Sequence, residues 1–290
     1  MQKNSSRSLL MLTLSMVIFG SIGIFRRYIP LPSAALACFR GASGALLLLA
    51  AAKVRGRTVN HHIGARKVLL LALTGAMIGL NWIFLFEAYN YTTVATATLC
   101  YYMQPTIVIL LSPLVFGERI TARKGLCAAL SVVGMALVSG FAENGVPTLA
   151  ESRGVLFGLG AAALYAAVVM MNKKLPGIDA YEKTIIQLLS ASAVLLPYLL
   201  LAGQLSVAAW TPGVLLLLLV VGFVHTGLAY ALYFGSMDGL RAQTVAIISY
   251  LDPVVALVLA ALILKERMTV FGIVGACLII GAALVSESEP

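Results

Sequence analysis

Residues 101–139 read YYMQPTIVILLSPLVFGERITARKGLCAALSVVGMALVS, and residues 249–286 read SYLDPVVALVLAALILKERMTVFGIVGACLIIGAALVS. Pro105 of the first stretch corresponds to Pro253 of the second. A Glu-Arg pair follows each proline at the same separation, as Glu118-Arg119 and as Glu266-Arg267. The repeated unit is about half the chain, which is too long for a solenoid repeat and indicates a duplicated domain.

The amino-acid composition predicts that both copies of the repeat lie in a membrane. Hydrophobic residues make up 61% of the chain and charged residues 11%, and the mean hydropathy is +0.99. A soluble fold with this composition has too little polar surface to cover its core. Apolar windows long enough to cross a bilayer as helices predict ten spans, five in each copy. The expected spans are 9–26, 33–52, 67–88, 93–115, 122–141, 153–173, 182–202, 211–236, 242–264 and 269–286.

An odd number of spans in each copy means that the second copy enters the membrane in the opposite orientation from the first. The predicted fold is therefore an all-α integral membrane protein with two inverted five-helix repeats. Residues 1–141 are the first repeat, 142–152 a linker, and 153–290 the second repeat. With the N-terminus in the cytoplasm, fourteen Lys and Arg residues fall on the cytoplasmic side and five on the other. This bias predicts that both termini are cytoplasmic.

The basic loops also account for the net charge of +9 without a nucleic-acid partner. Such loops are expected to face anionic lipid headgroups. The expected location is the bacterial cytoplasmic membrane. All four cysteines fall within predicted spans and none has CxxC spacing, so we expect no disulfide, no metal site and no cofactor.

Several sequence features together resemble the drug/metabolite transporter superfamily, in particular its EamA-type members. They are the ten spans in two copies, the segment ACFRGASGALLLL around Arg40, and the runs QP…GERITARKG and DP…KERMTVFG. The resemblance covers almost the whole chain and implies a transport function. It does not identify a substrate, because such transporters export amino acids, other metabolites and drugs.

Polar residues at membrane depth are the first candidates for a functional site, because they are costly in hydrocarbon and normally face a cavity or a partner. Asp252 is predicted near the midplane, directly before Pro253, which cannot donate a hydrogen bond to the carbonyl of Ser249. Gln104 and Pro105 repeat this arrangement in the first copy. A substrate or proton site at these two kinks is one interpretation, and a kink that only shapes helix packing is the other.

Three further polar side chains lie within predicted spans. His225 is expected near the middle of the eighth span, where an imidazole near Asp252 relays protons or simply packs. Arg40 carries a permanent charge in the second span, so it needs water or a carboxylate, and Glu87 and Asp252 are the candidates. We expect a structural ion pair there rather than direct substrate contact.

Aromatic residues follow a helical spacing in the third span, and Trp82 corresponds by the repeat to Tyr230 in the eighth. Rings on these faces suit an apolar, aromatic or cationic substrate, or else contact lipid and other helices. Asn81 at mid-span needs a hydrogen-bond partner. The expected substrate contacts are Asn81, Trp82, Tyr101, Gln104, Tyr230, Tyr250 and Asp252.

The pairs Glu118-Arg119 and Glu266-Arg267 lie at the ends of the fourth and ninth spans, where we expect them to fix hairpin geometry. The complete prediction is a secondary transporter that exports a small organic metabolite, such as an amino acid, an amine or a drug-like compound, by alternating access. Asp252 and His225 are the candidates for proton coupling. An uncoupled facilitator or exchanger remains the alternative, and both a monomer and a homodimer remain open.

A membrane-embedded enzyme using His225 and Asp252 as acid and base is the prediction of a different class. It is disfavoured because the sequence supplies no matched nucleophile, metal cluster or cofactor motif.

Overall fold

The computed structural model describes residues 2–54, 56, 64–117, 119–138, 148–175, 177–203, 210–237, 240 and 248–287. Every regular element in these ranges is helical. The first repeat contains α1 (Gln2–Arg27), α2 (Ser33–Val54), α3 (Ala65–Tyr91), α4 (Val94–Tyr101), α5 (Gln104–Phe116) and α6 (Ala122–Val138). The second contains α7 (Leu149–Lys173), α8 (Ala180–Leu201), α9 (Pro212–Leu219), the π-helical segment Val220–Leu228, α10 (Ala229–Met237), α11 (Leu251–Leu262) and α12 (Val270–Glu287).

These elements give the ten predicted membrane segments. Helices α4 and α5 together form the fourth segment, and α9, the π-helical segment and α10 form the eighth. Seven helices of the described chain are long and apolar enough to cross a bilayer, and α11 and α12 are shorter apolar helices. The predicted all-helical fold with ten segments is therefore confirmed.

Local sequence explains where several helices begin. The side chain of Thr93 accepts a hydrogen bond from the backbone N–H of Thr96 at the start of α4. Thr148 and Glu151 form a capping box at the start of α7, four residues before the expected start of the second repeat. Residues 142–147 of the expected linker, and residues 139–141 of the expected first repeat, lie outside the described residues. Asp179 caps α8 in the same way as Thr93 caps α4.

The helix contacts have an internal two-fold pattern. Helix α7 contacts α3 and α4, and α1 makes the equivalent contacts with α10 and α11. The second helix of each repeat pairs with its counterpart, α2 with α8, and the fifth does the same, α6 with α12. Exchanging the two repeats thus reproduces the same set of contacts. This is the arrangement of inverted-repeat transporters.

The turns after the fourth and ninth segments also match. Gly117 caps α5 with φ of 68°, and Lys265, at the corresponding position of the second repeat, has φ of 56°. A left-handed conformation suits glycine and is unusual for lysine. The same turn is therefore built from a favourable residue in one repeat and a strained one in the other.

Candidate functional site

A cavity of about 570 Å³ lies between the two repeats and is lined by residues of both. Its wall comes from α1, α2, α3, α4, α5, α7, α10 and α11 and the turns beside them. The side chains that carry polar groups or rings are Phe19, Arg40, Trp82, Tyr89, Thr98, Tyr101, Tyr102, Gln104, Tyr165, Tyr230, Tyr233, Ser249, Tyr250 and Asp252. Six of the seven expected substrate contacts are in this wall.

Breaks in two membrane segments position the polar end of the cavity. Helix α4 ends at Tyr101 and α5 begins at Gln104, so Pro105 lies in the first turn of a new helix. Pro253 lies in the first turn of α11. A proline there costs little, because the first N–H groups of a helix have no intrahelical acceptor. The expected kinks are therefore helix starts, which discontinuous helices provide at transporter sites.

Asp252 and Tyr102 connect these two breaks. The hydroxyl of Tyr102 donates a hydrogen bond to Oδ2 of Asp252 at 2.6 Å. The contact joins the fourth segment to the ninth, and thus the first repeat to the second. Gln104 is the counterpart of Asp252, and its Oε1 is buried without a hydrogen-bond partner among the described residues. Both residues line the cavity, Asp252 with a carboxylate that accepts from Tyr102 and Gln104 with an amide oxygen that is itself buried.

Arg40 occupies another part of the cavity wall, and its expected ion pair is not formed. The side chain is 5% exposed, and its Nε donates to Oγ1 of Thr226 at 2.8 Å. The guanidinium carbon lies 4.2 Å from the centre of the Trp82 ring. Within the described chain, neither Glu87 nor Asp252 lies within ion-pair distance of it. An aromatic face and a hydroxyl therefore hold this charge in place of the predicted carboxylate.

The π-helical segment provides that hydroxyl. Thr226 donates its own hydrogen bond to the carbonyl of Val221, five residues earlier, at 3.2 Å. This leaves the oxygen lone pairs of Thr226 oriented by a π-helical turn when it accepts from Arg40. Single π-helical turns within α-helices frequently occur at functional sites.

Aromatic contacts surround the cavity. Phe19 packs edge-on against Tyr230 with ring centres 5.2 Å apart, and Tyr101 packs against Tyr165 at 5.8 Å. Tyr102 and Tyr250 have centres 6.4 Å apart. Each of these pairs joins the first repeat to the second. The rings thus form a wall that can hold an apolar body while their edges and hydroxyls contact polar groups.

His225 is buried beside this wall but does not line the cavity. Its Nε2 forms a hydrogen bond with Oγ of Ser21 at 2.9 Å, and its ring packs edge-on against Phe25 at 4.5 Å. The exposed fraction of the side chain is 2%. The structure therefore places His225 at the contact between α1 and the π-helical segment, without a direct contact to Asp252.

Asn81 and Glu87 also have partners away from the cavity. Nδ2 of Asn81 donates to the carbonyl of Ala161 at 2.6 Å, which links α3 to α7. Glu87 accepts a hydrogen bond from Nδ2 of Asn90 at 3.2 Å. Neither side chain lines the cavity. The neighbour of Asn81 in sequence, Trp82, does so because it lies on a different face of α3.

Glu266 connects the turn after α11 to two helices of the first repeat. Its carboxylate accepts hydrogen bonds from the backbone N–H groups of Val94 and Ala95 at 2.9 and 3.1 Å, and Nη2 of Arg27 lies 3.5 Å away. Arg27 also donates to the carbonyl of Thr92 at 2.9 Å. The turn after α11 is thereby tied to the end of α1 and to the start of α4.

The two arginines of the Glu-Arg motifs have no such role in the described structure. Arg267 and Arg119 are both exposed. Glu118 lies outside the described residues. That the pairs fix hairpin geometry stays a prediction, and the side-chain partners of Glu266 in the described chain belong to α1 and to the start of α4.

Several residues that line the cavity are not among the substrate contacts predicted from the sequence. They are Met16 and Phe19 of α1, Tyr165 of α7 and Tyr233 of α10. Phe19 and Tyr165 each lie in the first helix of a repeat. No pattern in the sequence distinguishes them from Phe25 and Phe157, the other rings of the same two helices.

Comparison with known proteins decides the family. The model of the EamA-like transporter family matches residues 6–140 and 152–287, one match for each half of the chain. The chain belongs to this family. It is a multi-pass membrane protein and a transporter of the drug/metabolite transporter superfamily.

Individual relatives agree with this assignment. The chain is 29% identical over 281 residues to the uncharacterized transporter YxxF of Bacillus subtilis (strain 168), covering 96% of this chain and 88% of the relative. It is 25% identical over 204 residues to protein RarD of Escherichia coli (strain K12), covering 70% and 66%. A solved structure described only as the crystal structure of a protein matches with a TM-score of 0.67 at 19% identity, covering 97% of this chain and 96% of that one. This last match shows the fold.

Proposed function

We propose that the protein is a secondary active transporter that exports a small organic metabolite, an amino acid or a related amine or drug-like compound. The observation that carries the proposal is the cavity between the two repeats, with Asp252 in its wall. Its volume falls within the range of about 300–1,000 Å³ that is usual for small-molecule sites. Most of its wall is aromatic or apolar, with a few polar groups that would orient a substrate.

Alternating access is the proposed mechanism. The side chains at the Trp82, Leu85 and Tyr89 end of the cavity are buried, whereas Tyr233 and Leu240 at the other end are partly exposed. The contacts of Arg27 and Glu266 lie beyond the buried end, where α4 begins. We assign this closed end to the outside of the cytoplasmic membrane, with both chain termini in the cytoplasm. Rocking of one repeat against the other would open this end and close the opposite one.

Asp252 is the proposed proton site. A carboxylate at membrane depth is costly, and it needs a partner or a proton as the cavity changes its access to water. Tyr102 supplies one hydrogen bond in the present conformation. A proton entering from outside would replace the substrate at Asp252, and substrate arriving from the cytoplasm would displace it. His225 is not needed for this cycle, since its ring contacts Ser21 and Phe25.

The test is flux in proteoliposomes across a panel of amino acids, amines and aromatic drugs, with and without an imposed pH gradient. Wild type is compared with Asp252→Asn, and Glu151→Gln is the matched control because Glu151 is exposed at the start of α7. We expect gradient-driven flux of at least one panel member in wild type and in the control, and its loss in Asp252→Asn. Flux that ignores both the gradient and Asp252→Asn would instead establish an uncoupled facilitator.

A further inference from the structure

Arg40 has more hydrogen-bonding capacity than its protein partners use. A guanidinium carries five N–H donors and no acceptor. Nε is satisfied by Thr226, and the ring of Trp82 covers one face of the group. Within the described chain, the terminal nitrogens make no hydrogen bond or ion pair. Because the side chain is only 5% exposed and lines the cavity, these donors are directed at the space that a substrate would fill.

The way in which Arg40 is held favours an anion as its partner. The contact with the Trp82 ring and the hydrogen bond to Thr226 hold the guanidinium in place, and no carboxylate of the described chain lies within ion-pair distance of it. A buried charge without a counter-ion is costly in a membrane interior. A planar guanidinium held in this way matches a carboxylate, which it binds through two parallel hydrogen bonds.

A hydrogen-bond acceptor, the counterpart of the donors of Arg40, lies elsewhere in the same cavity. Asp252 lines the cavity and carries a carboxylate with one hydrogen bond, from the hydroxyl of Tyr102. Within the described chain, Asp252 and Arg40 form no direct ion pair, so each keeps hydrogen-bonding capacity for another group. The cavity thus offers fixed donors at Arg40 and an acceptor at Asp252, and aromatic rings make up much of the same wall.

We infer that Arg40 binds a carboxylate of the transported molecule while Asp252 receives its ammonium group, so that the substrate is a zwitterion. This inference rests on the proposed function and narrows its substrate class. A simple amine, or a cationic drug without a carboxylate, leaves Arg40 uncompensated and is a poor substrate. Arg40 is then the residue that determines specificity for carboxylate-bearing compounds.

The test compares each of the twenty amino acids with its own amide, which keeps the ammonium group and the side chain but removes the carboxylate charge. Binding to purified wild-type protein in detergent is measured by thermal shift and calorimetry. We expect at least one acid to bind at least tenfold more tightly than its amide, since a hydrogen bond to a charged group is worth about 1.5–3 kcal/mol, or tenfold and more in affinity. This comparison needs no variant, so it stands even if an Arg40 variant fails to fold.

Variants then assign the effect to Arg40. Arg40→Gln is expected to lose the preference for the acid while keeping any weak binding of the amide. Arg40→Lys keeps the charge without the planar group and is expected to retain part of the preference. Amides that bind as well as their acids, a preference that survives Arg40→Gln, or a panel in which no acid binds would each overturn the inference.

Flux separates this inference from the function on which it rests. An acid that binds through Arg40 but crosses proteoliposome membranes in no condition would contradict transport and leave the binding role of Arg40 in place. Conversely, if amines show gradient-driven flux and Arg40→Gln leaves that flux unchanged, the transport function is supported. The proposal that Arg40 binds a carboxylate of the substrate is then overturned.

Discussion

The Tyr102 hydroxyl and the Asp252 carboxylate lie 2.6 Å apart, and their hydrogen bond joins the broken fourth segment to the broken ninth. The two residues belong to different repeats. A motion of one repeat against the other therefore changes this contact directly. Tyr250 lies beside them, with its ring centre 6.4 Å from that of Tyr102. The proposed coupling group is thus located where the two repeats meet.

Removing the Tyr102 hydroxyl tests this contact. Tyr102→Phe keeps the ring and removes the donor to Asp252, and a hydrogen bond to a charged group is worth about 1.5–3 kcal/mol. We expect gradient-driven flux to fall by about tenfold or more. Tyr91→Phe is the control, because Tyr91 is exposed, does not line the cavity and makes no hydrogen bond to Asp252. Wild-type flux in Tyr102→Phe, or an equal loss in both variants, would argue against the contact.

Glu266 is expected to stabilise the closed end of the cavity. Glu266→Ala leaves the N–H groups of Val94 and Ala95 without their acceptor and removes the ion pair with Arg27. Glu266 thus caps the start of α4, and loss of a helix N-cap lowers the free energy of unfolding by about 0.5–2 kcal/mol. Thermal unfolding in detergent measures the change. Arg267→Ala, at the exposed neighbour, should leave the melting temperature unchanged, and equal melting of both variants contradicts the role of Glu266.

Asn81 and Trp82 separate a structural role from a binding role at adjacent positions. Asn81→Ala removes the link to Ala161 and should lower the free energy of unfolding by about 1 kcal/mol, with KM unaltered. Trp82→Ala removes a cavity ring and the face on which Arg40 stacks, so it should raise KM. Flux kinetics and thermal unfolding on the same preparations distinguish the two. A raised KM in Asn81→Ala would place that side chain at the substrate after all.

Lys265 adopts a conformation that its counterpart Gly117 adopts without strain. Lys265→Gly relieves a cost of about 1–2 kcal/mol and adds flexibility to the unfolded chain, so we expect a net gain of about 0.5–1 kcal/mol. Thermal unfolding again provides the measurement. Lys265→Ala is the matched control, since it removes the charge and keeps the strain. The explanation fails if alanine stabilises the protein as much as glycine does.

The architecture could be predicted because its determinants are local in sequence. Apolar length defines the spans, and the repeated proline and Glu-Arg motifs reveal the duplication that the contacts of α6 with α12 and of α2 with α8 confirm. The helix breaks at Gln104 and Asp252 were expected as kinks. The missing N–H of Pro105 or Pro253 predicts an interruption of the helix. Whether the interruption is a kink or the start of a new helix depends on the conformation of the neighbouring backbone.

Partners of buried polar groups could not be predicted in the same way. A carboxylate partner is expected for Arg40 because the sequence shows which residues are charged. Its hydrogen-bond partner in the structure, Thr226, is oriented by a π-helical turn that the sequence does not reveal. Asn81 and Trp82 are adjacent, and the rotation of α3 decides which one faces the cavity. Glu266 bonds to residues 94 and 95, far away in sequence, through a three-dimensional arrangement of loops.

The central claim is that Asp252 exchanges a proton for substrate during transport. The most direct measurement loads proteoliposomes with a transported compound and a pH-sensitive dye, imposes no pH gradient, and records proton movement as the compound flows out. The account predicts proton entry in proportion to efflux in wild type and none in Asp252→Asn. Efflux from wild type without proton entry, or unchanged proton entry in Asp252→Asn, would contradict it.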